Sequence, residues 1–203
     1  MLRSALKYGQ NGEAYLFALK ELYAAGCEIY RRIYMWYVMQ VRTGTEENIR
    51  VQCVRKIPPE IQERCYILYY EEKKRIRGEW TVKKKVLFPG YVFVVTEDMD
   101  QLYQSLKSVA GLTKLIGTGR EVVPLTEEEK QFMLDLGGEE QVVPLSEGII
   151  ENSVTKIRSG PLKGKEGLIR KIDRHKRKAW LEVEMFGRKQ EIEVGLEIVA
   201  KTV

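Results

Sequence analysis

The pattern of apolar and polar positions changes along the chain and divides it into parts. Apolar residues recur at a spacing close to 3.6 over residues 13–34, which predicts a helix. Residues 35–41 are apolar and rich in strand-forming types, and they predict a strand. Over 181–194, apolar residues alternate with glutamates, the period of two expected for a strand with one buried face. The pattern therefore predicts a mixed helix-and-strand part followed by an all-β part.

The middle of the chain carries further helix and strand signals. Three helix starts are indicated by a capping residue followed three positions later by an acid or amide: Thr43-x-x-Glu46, Asp98-x-x-Gln101 and Thr126-x-x-Glu129. Residues 65–95 predict long strands around a charged hairpin. Residues 138–150 contain Gly and Pro without strong periodicity and predict a linker. The short strands after it fit a small barrel, so the fold class is α+β: a mixed sheet with flanking helices, then a β-barrel.

One strand signal contains an interruption. Residues 86–95 read VLFPGYVFVV, with Pro89 and Gly90 at the centre of an otherwise strong β sequence. Pro cannot donate a hydrogen bond to a sheet, and Gly weakens the interior of a strand. The pair therefore predicts a local break or kink that reorients the aromatic residues on either side, Phe88 and Tyr91.

Composition excludes several protein classes. With 203 residues, of which 44% are hydrophobic, the chain is long enough for one large or two small domains with a proper core. No apolar run approaches the ~20 residues of a transmembrane helix, and the N-terminus lacks the residue order of a signal peptide. The three cysteines are odd in number and share no metal-ligand spacing, which is typical of free thiols in a reducing compartment. These features predict a cytoplasmic protein without membrane contact.

Positive charge is concentrated near the C-terminal end. Residues 151–203 hold 13 Lys and Arg against eight Asp and Glu, whereas residues 1–150 hold 21 of each. The whole excess of +5 therefore lies in the last quarter of the chain, which favours a surface that contacts nucleic acid. The alternative is an ordinary solvated basic surface.

Signals for catalysis are weak. The single histidine, His175, lies in a run of Lys and Arg, and no Cys-His or Ser-His-Asp arrangement can be built around it. Gly117-Thr118-Gly119 lacks the third glycine of a dinucleotide-binding loop. No cluster with metal-ligand spacing is present in the sequence. We therefore expect a protein that is not an enzyme, with no catalytic residues, no metal and no cofactor.

Two sets of motifs resemble a known family. The basic run 83–85 followed by Phe88-Pro89-Gly90-Tyr91-Val92-Phe93-Val94 resembles the signature of NusG-type transcription elongation factors. Further segments resemble the family's opening strand and first helix, its C-terminal KOW motif and the tip of that motif: Trp36-Tyr37-Val38 with Gly44 and Glu46, Ser159-Gly160-Pro161-Leu162 through Gly167, and Met185-Phe186-Gly187-Arg188. The resemblance covers residues 35–203, with both sets in the family's order and separation.

The resemblance implies a domain organisation. An NGN domain is expected at 35–137, the linker at 138–150 and a KOW β-barrel domain at 151–203. Residues 1–34 depart from the family pattern, since the family usually begins near the position of Met35. They are either an N-terminal helical extension or a stretch upstream of a translation start at Met35, and we favour the second reading slightly.

Within the family, the C-terminal part resembles most closely the specialised paralogs called LoaP. The resembling segments are Ser146–Ile150, Gly160–Gly167, Ile172–Arg177 and Val194–Glu197. Such proteins are processive antiterminators recruited by a leader RNA hairpin, and this implies the same function here. Two alternatives stay open: a housekeeping NusG that links RNA polymerase to Rho or the ribosome, and a ribosomal-type KOW protein without polymerase contact.

The family resemblance implies a polymerase-binding site. Phe88 and Tyr91, with Tyr37, would form a partly exposed apolar pocket that grips the β′ clamp helices of RNA polymerase, a helix-in-groove mode of recognition. Trp36 is expected in the core. The alternative for the aromatic residues is ordinary core packing. Contact with RNA polymerase is thus the first expected partner interaction, and the protein is expected to be a monomer.

Two basic clusters are candidate nucleic-acid sites, for leader RNA or for the non-template DNA strand. The first surrounds an aromatic side chain that could stack on an unpaired base; it comprises Lys73, Lys74, Arg75, Arg77, Trp80, Lys83, Lys84 and Lys85. The second would lie at one rim of the barrel and contact phosphates; it comprises Arg170, Lys171, Arg174, His175, Lys176, Arg177 and Lys178. For each cluster the alternative is a solvated surface.

The tip of the KOW motif is a candidate protein-binding site. Met185 and Phe186, next to Arg188, are predicted to be exposed, and an exposed apolar pair is unusual on a protein surface. In the family this edge binds a small-subunit ribosomal protein or Rho. The even alternation over 181–194 favours a C-terminal part that keeps its β structure rather than refolding into helices.

Overall fold

A computed structural model describes residues 35–115, 117–118, 121–138 and 140–202. The helix predicted over 13–34 lies outside the described residues. Among the helices that the structure describes, none has the length and apolar character needed to cross a membrane. Cys53 and Cys65 are buried and carry free thiols, as expected, and Cys27 lies outside the described part.

A four-stranded sheet forms the centre of the N-terminal part. Its strands are β1 (Met35–Val41), β2 (Arg64–Tyr66), β5 (Tyr91–Thr96) and β6 (Leu112–Leu115), in the order β2-β5-β1-β6. All six residues of β5 are buried, because this strand lies inside the sheet and is covered on both faces. This explains why its sequence is continuously apolar rather than alternating.

Three helices accompany this sheet: α1 (Glu46–Lys56), α2 (Met99–Leu106) and α3 (Glu127–Gly137). Asp98 accepts a hydrogen bond from the Gln101 backbone N–H at 2.9 Å, and Thr126 and Glu129 form a reciprocal capping box, so both predicted helix starts are confirmed. The capping box predicted at Thr43 is wrong, because α1 is preceded by Thr45, whose side chain makes no capping bond.

A long hairpin projects from the N-terminal part. Strands β3 (Tyr69–Ile76) and β4 (Glu79–Val86) pair over their full length, and the turn between them places Arg77 and Gly78 at φ of 50° and 92°. Two consecutive residues of positive φ are what a tight two-residue hairpin turn requires. The predicted charged hairpin is thus confirmed. A short hairpin of β7 (Gly117–Thr118) and β8 (Glu121–Val122) follows β6.

The C-terminal part is a five-stranded sheet. Its strands follow the order β11-β10-β14-β13-β12, with β11 and β12 at the edges. The strands are β10 (Ser146–Glu151), β11 (Val154–Ser159), β12 (Ile169–Asp173), β13 (Lys178–Met185) and β14 (Arg188–Thr202), with a 3₁₀ turn at Glu166–Leu168. The predicted alternation is confirmed, since Leu181, Val183, Ile192 and Val194 are all buried. The fold class is therefore α+β, and residues 146–202 form this sheet with its connecting turns. The strand pairings among the described residues do not close the sheet into the predicted barrel.

The segment predicted as a linker is largely ordered into strands. Strand β9 (Val142–Val143) adds in parallel to the edge of β3, and β10 already belongs to the C-terminal sheet. Only Pro144 and Leu145 separate the two strands, and the Leu145 N–H donates to Glu71 Oε2 at 3.0 Å. The linker bounds of 138–150 are therefore too wide. The sequence gives no sign of β9, because a strand of two residues is too short to show a period.

Candidate interaction surfaces

Pro89 and Gly90 form the turn between β4 and β5. Gly90 has a φ of 84°, and a Cβ at this position would lie 3.2 Å from both Thr43 Oγ1 and the Val41 backbone oxygen. The Gly90 N–H donates to Glu46 Oε1 at 2.7 Å, and Gly90 accepts from the Val41 N–H at 2.9 Å. The stretch 86–95 is therefore two elements joined by a fixed turn, rather than one kinked strand.

Glu46 is the buried anchor of this turn. Its side chain also accepts the Gly44 N–H at 2.8 Å, so one carboxylate holds two backbone donors from separate loops. This role explains why Glu46 does not serve the capping box that its spacing from Thr43 predicted. The turn fixes Phe88 and Tyr91 relative to β1, the strand that precedes Thr43.

The two predicted polymerase-contact aromatics are covered by the C-terminal sheet. Phe88 and Tyr91 are only 2% and 7% exposed, so the prediction that they are partly exposed is wrong for this arrangement. The Phe186 ring lies against both, with centroids 5.5 Å from Phe88 and 5.0 Å from Tyr91, and it lies 6.0 Å from Phe93. An apolar ring from one part of the chain thus fills an aromatic face on the other, which we call the aromatic face (Phe88, Tyr91, Phe93).

The hairpin turn that carries Phe186 is not the exposed tip that was predicted. Met185 is 1% exposed, and Phe186 is half-buried, since it reaches the aromatic face with φ of 59° in the turn between β13 and β14. Tyr37 and Trp36 are also buried, and Trp36 lies in the core as predicted, edge-on to Tyr66 at 5.6 Å. Burial and the charge of Asp100 raise the pKa of Tyr37.

Polar contacts hold the turn in place. The Phe186 N–H donates to Glu129 Oε1 at 2.5 Å, and the Arg188 guanidinium donates to the Tyr91 hydroxyl. Glu129 also completes the capping box at the start of α3, so the same side chain serves the helix and the contact between the two parts. The turn between β13 and β14 is therefore fixed by both apolar and polar contacts.

A second contact joins the base of the β3–β4 hairpin to the C-terminal sheet, and Glu193 is its centre. Glu193 accepts hydrogen bonds from the Tyr70 hydroxyl and from Lys85 Nζ, both at 2.8 Å, and from Lys178 Nζ at 3.0 Å. Burial of the carboxylate opposes its ionisation, but hydrogen bonds from Lys85, Tyr70 and Lys178 outweigh it and lower the pKa of Glu193 to about 2. Burial and the hydrogen bond to Glu193 in turn raise the pKa of Tyr70.

Further ion pairs extend this contact. Lys178 lies between Glu72 and Glu193, and Lys73 pairs with Glu197 at 2.7 Å. Burial tends to lower the pKa of Lys178, but hydrogen bonds to Glu72 and Glu193 outweigh it, so the pKa is raised. In two of these pairs, Lys178–Glu72 and Lys73–Glu197, opposite charges face each other across the two sheets.

Gly195 allows the two parts to approach closely. A Cβ at this position would lie 2.2 Å from the Glu71 backbone oxygen and 2.6 Å from Leu145 Cδ1. The first of these neighbours is backbone of β3 and cannot move aside as a flexible side chain could. The absence of a side chain at Gly195 is therefore a requirement of the contact between β14 and β3.

The two predicted nucleic-acid clusters meet at a stacked pair. The guanidinium carbon of Arg177 lies 3.3 Å from the centroid of the Trp80 ring, a cation–π contact, and Arg177 Nε pairs with Glu197 Oε1 at 3.1 Å. Trp80 remains 43% exposed, as its predicted role requires. Nη1 of Arg177 is buried and has no hydrogen-bond partner among the residues that the structure describes.

The remaining cationic side chains divide between the interface and the surface. Lys73, Arg177 and Lys178 are partly buried in the contact, and Lys85 is exposed but pairs with Glu193 there. The other cations of the two clusters are exposed: Lys74, Arg75, Arg77, Lys83, Lys84, Arg170, Lys171, Arg174, His175 and Lys176. Lys171 covers the ring of Trp180 at 4.9 Å. No group of acidic, His or Cys side chains suited to a metal ion occurs in the part of the chain that the structure describes.

Sequence reasoning missed the acidic half of the interface. Glu72, Glu129, Glu193 and Glu197 provide its carboxylates, yet the alternation of β14 predicts that Glu193 faces solvent. It does lie on the outer face of the C-terminal sheet, and that face is covered by the β3–β4 hairpin. A single sequence contains no signal that two parts of the chain pack in this way.

Comparison with known proteins agrees with this fold. Residues 34–134 match the model of the family described as "Transcription termination factor nusG". Over this segment, about half of the chain, the protein is similar to the NusG family. It is 25% identical over 179 residues to the transcription termination/antitermination protein NusG of Thermus thermophilus, an alignment that covers 82% of this chain and 97% of that protein. It is 27% identical over 176 residues to the protein of the same name from Staphylococcus aureus, covering 82% of this chain and 94% of that protein.

A solved NusG structure is similar in fold. The structure described as "Domain interaction in Thermotoga maritima NusG" aligns with a TM-score of 0.52 at 24% identity, and covers 80% of this chain and 93% of that one. This alignment covers a larger share of the chain than the segment matched by the family model.

Proposed function

We propose that this protein belongs to the NusG family and is a bacterial transcription elongation factor that acts as a processive antiterminator. It binds the β′ clamp helices of RNA polymerase through the aromatic face and is recruited by a hairpin in leader RNA. By bridging the clamp it holds polymerase in the elongating state, for which it has the higher affinity. The names of its relatives support the general class, since both are termination/antitermination proteins.

The observation that carries the polymerase assignment is the position of Phe186. An aromatic face that accepts a ring from a separate sheet is a face with room for an apolar partner, and clustered aromatics are the usual anchors of protein interfaces. Residues of a clamp helix would take the place of Phe186. The packed arrangement is then the resting form, in which the face is covered.

Recruitment by RNA rests on the two basic clusters. The hairpin cluster by itself combines the half-exposed ring of Trp80 with several exposed cations, the combination that recognition of an unpaired nucleotide requires. The β3–β4 hairpin could equally follow the non-template DNA strand once polymerase is bound. The exposed cations outside the interface supply phosphate contacts and make the affinity salt-dependent.

The second candidate is a housekeeping NusG. The printed names of the relatives include termination as well as antitermination. In that role Met185, Phe186 and Arg188, once free of the aromatic face, would contact Rho or a small-subunit ribosomal protein. No enzymatic step is part of either candidate function.

Binding to leader RNA separates the candidates. The purified protein is titrated into the leader RNA of its own operon and into a scrambled hairpin, at two salt concentrations. An RNA-recruited antiterminator binds the native hairpin preferentially at the higher salt, and increases read-through of a downstream terminator only on templates that encode it. Equal binding to both RNAs, with loss of both at high salt, would favour the housekeeping role.

A further inference from the structure

The contact between the two sheets uses side chains that are also candidates for nucleic-acid binding. Lys73, Lys85 and Trp80 lie on the β3–β4 hairpin, and Arg177 and Lys178 belong to the cluster of the C-terminal sheet. All five were assigned to nucleic acid on sequence grounds, and all five form contacts across the interface. One set of side chains therefore has two possible sets of partners.

The partners within the protein resemble a nucleotide in their chemistry. Glu197 and Glu193 place carboxylates against Lys73 and Lys85, where phosphates would otherwise bind. The planar guanidinium of Arg177 covers one face of Trp80, where an unpaired base would stack. A strand of nucleic acid on the hairpin would need the same positions that the C-terminal sheet occupies.

The packed arrangement also leaves a donor unsatisfied at this point. Within the described part of the chain, Nη1 of Arg177 is buried without a hydrogen-bond partner, while Nε is paired with Glu197. Burying an unpaired donor of a charged group weakens a contact. Release of Arg177 would restore its hydration or give it a phosphate partner, which favours separation where the two basic clusters meet.

We infer that an unpaired nucleotide with flanking phosphates competes with the C-terminal sheet for Trp80, Lys73 and Lys85. Nucleic-acid binding and packing of the two parts are then mutually exclusive, and the ligand that binds the hairpin moves Phe186 off the aromatic face. The inference rests on the proposed function, and it adds that binding of nucleic acid separates the two parts of the chain. Because linkage is reciprocal, any change that loosens the packing must raise the affinity for the ligand.

Gly195→Ala tests this competition. The added methyl group meets the Glu71 backbone and opposes packing, but it lies on neither the hairpin nor the exposed cations. Fluorescence anisotropy then measures the binding of a labelled 12-nucleotide single strand, as RNA and as DNA of the same sequence, and of the corresponding duplex. We expect the variant to bind at least one single strand more tightly than the unaltered protein, by about 10-fold if the unaltered protein is open for about a tenth of the time.

The opposite result has a clear meaning. If Gly195→Ala binds both single strands with unchanged or lower affinity, the packed form is itself the binding surface and the competition does not exist. Equal gains for the duplex would show that only phosphates are recognised, and would overturn the role of Trp80. Circular dichroism of the full chain checks that the variant keeps its β structure.

A second variant keeps the test decisive if Gly195→Ala folds poorly. Glu197→Gln removes the partner of Lys73 and Arg177, and Glu191→Gln is its control, since it makes the same charge change at an exposed site of the same strand. The competition predicts a larger gain in affinity for Glu197→Gln than for Glu191→Gln. Equal gains would mean that only net charge matters, and would contradict the inference.

Opening can be observed directly by fluorine NMR. In the full chain labelled with 4-fluorophenylalanine, the Phe186 resonance is assigned with Phe186→Leu. Saturation with the single strand should move it towards the position of a solvent-exposed ring, and a resonance that stays in place with ligand bound would refute the inference. None of these measurements involves polymerase. If they refute the inference, the aromatic face remains the proposed polymerase site.

Discussion

At the scale of single residues, Glu46 shows how one buried carboxylate can fix the turn that orients the aromatic face. It is 4% exposed and accepts two backbone N–H groups, from Gly44 and Gly90. Charge-assisted bonds of this kind are stronger than bonds between neutral groups. The orientation of Phe88 and Tyr91 therefore depends on a side chain that would never touch the partner.

Replacement of this carboxylate should cost stability. Glu46→Gln exchanges one accepting oxygen for an amide donor facing a backbone donor, so we expect a loss of about 1–3 kcal/mol in the free energy of unfolding. Urea denaturation measures the loss, and Glu60→Gln, at an exposed position, is the control. Equal stability of Glu46→Gln and the control would show that the turn is held by other contacts.

The lowered pKa of Glu193 predicts how the stability of the packed form depends on pH. Its pKa is lowered from an ordinary 4.5 to about 2 by partners on the β3–β4 hairpin and on β13. The stabilisation is therefore complete above pH 4.5 and is lost as the pH falls through the range from 4.5 to about 2. Between pH 6 and pH 3, the unaltered protein should lose more thermal stability than Glu193→Gln. Parallel loss in both proteins would contradict this assignment.

At the scale of elements, local signals succeed where an element is determined by its own residues. The starts of α2 and α3 follow from capping side chains three residues away, and the β13–β14 pair follows from simple alternation. The start of α1 was predicted incorrectly because its acid bonds to Gly90, 44 residues further along the chain. Strand β9 was missed because two residues show no period.

The candidate site was predictable only in part for the same reason. Residues of the right chemistry, such as Phe88, Phe186 and Trp80, could be identified from their types and motifs. Their burial could not, because Phe186 is covered by residues about a hundred positions earlier in the chain. A turn that is apolar at its tip predicts a contact, but a single sequence does not reveal that the contact lies within the same molecule.

The turn of the β3–β4 hairpin allows a separate test of an element. Gly78 has a φ of 92° and nothing within 4 Å of an added Cβ, whereas Gly167 has equal space without a positive φ. Gly78→Ala should therefore destabilise the hairpin by about 1 kcal/mol through backbone strain alone, and Gly167→Ala should not. Hydrogen exchange of the β3 and β4 amides measures the difference. Equal exchange in the two variants would contradict the assigned turn.

At the scale of the whole molecule, one interface determines which surfaces are available. The turn between β13 and β14 covers the aromatic face, while Glu193, Glu197 and Lys178 hold the base of the β3–β4 hairpin. The same interface thus covers the proposed polymerase site and part of the proposed nucleic-acid site. A change in the packing equilibrium between the two parts would therefore change access to both proposed sites at once.

The most direct test of this account is the affinity for RNA polymerase of two variants with opposite expected effects. Phe186→Ala removes the ring that covers the aromatic face, and Tyr91→Ala removes part of the face itself. Binding to the core enzyme should become several-fold tighter for Phe186→Ala and about 10-fold or more weaker for Tyr91→Ala. If both variants bind more weakly, or both bind as the unaltered protein does, the aromatic face is internal packing and not the polymerase site.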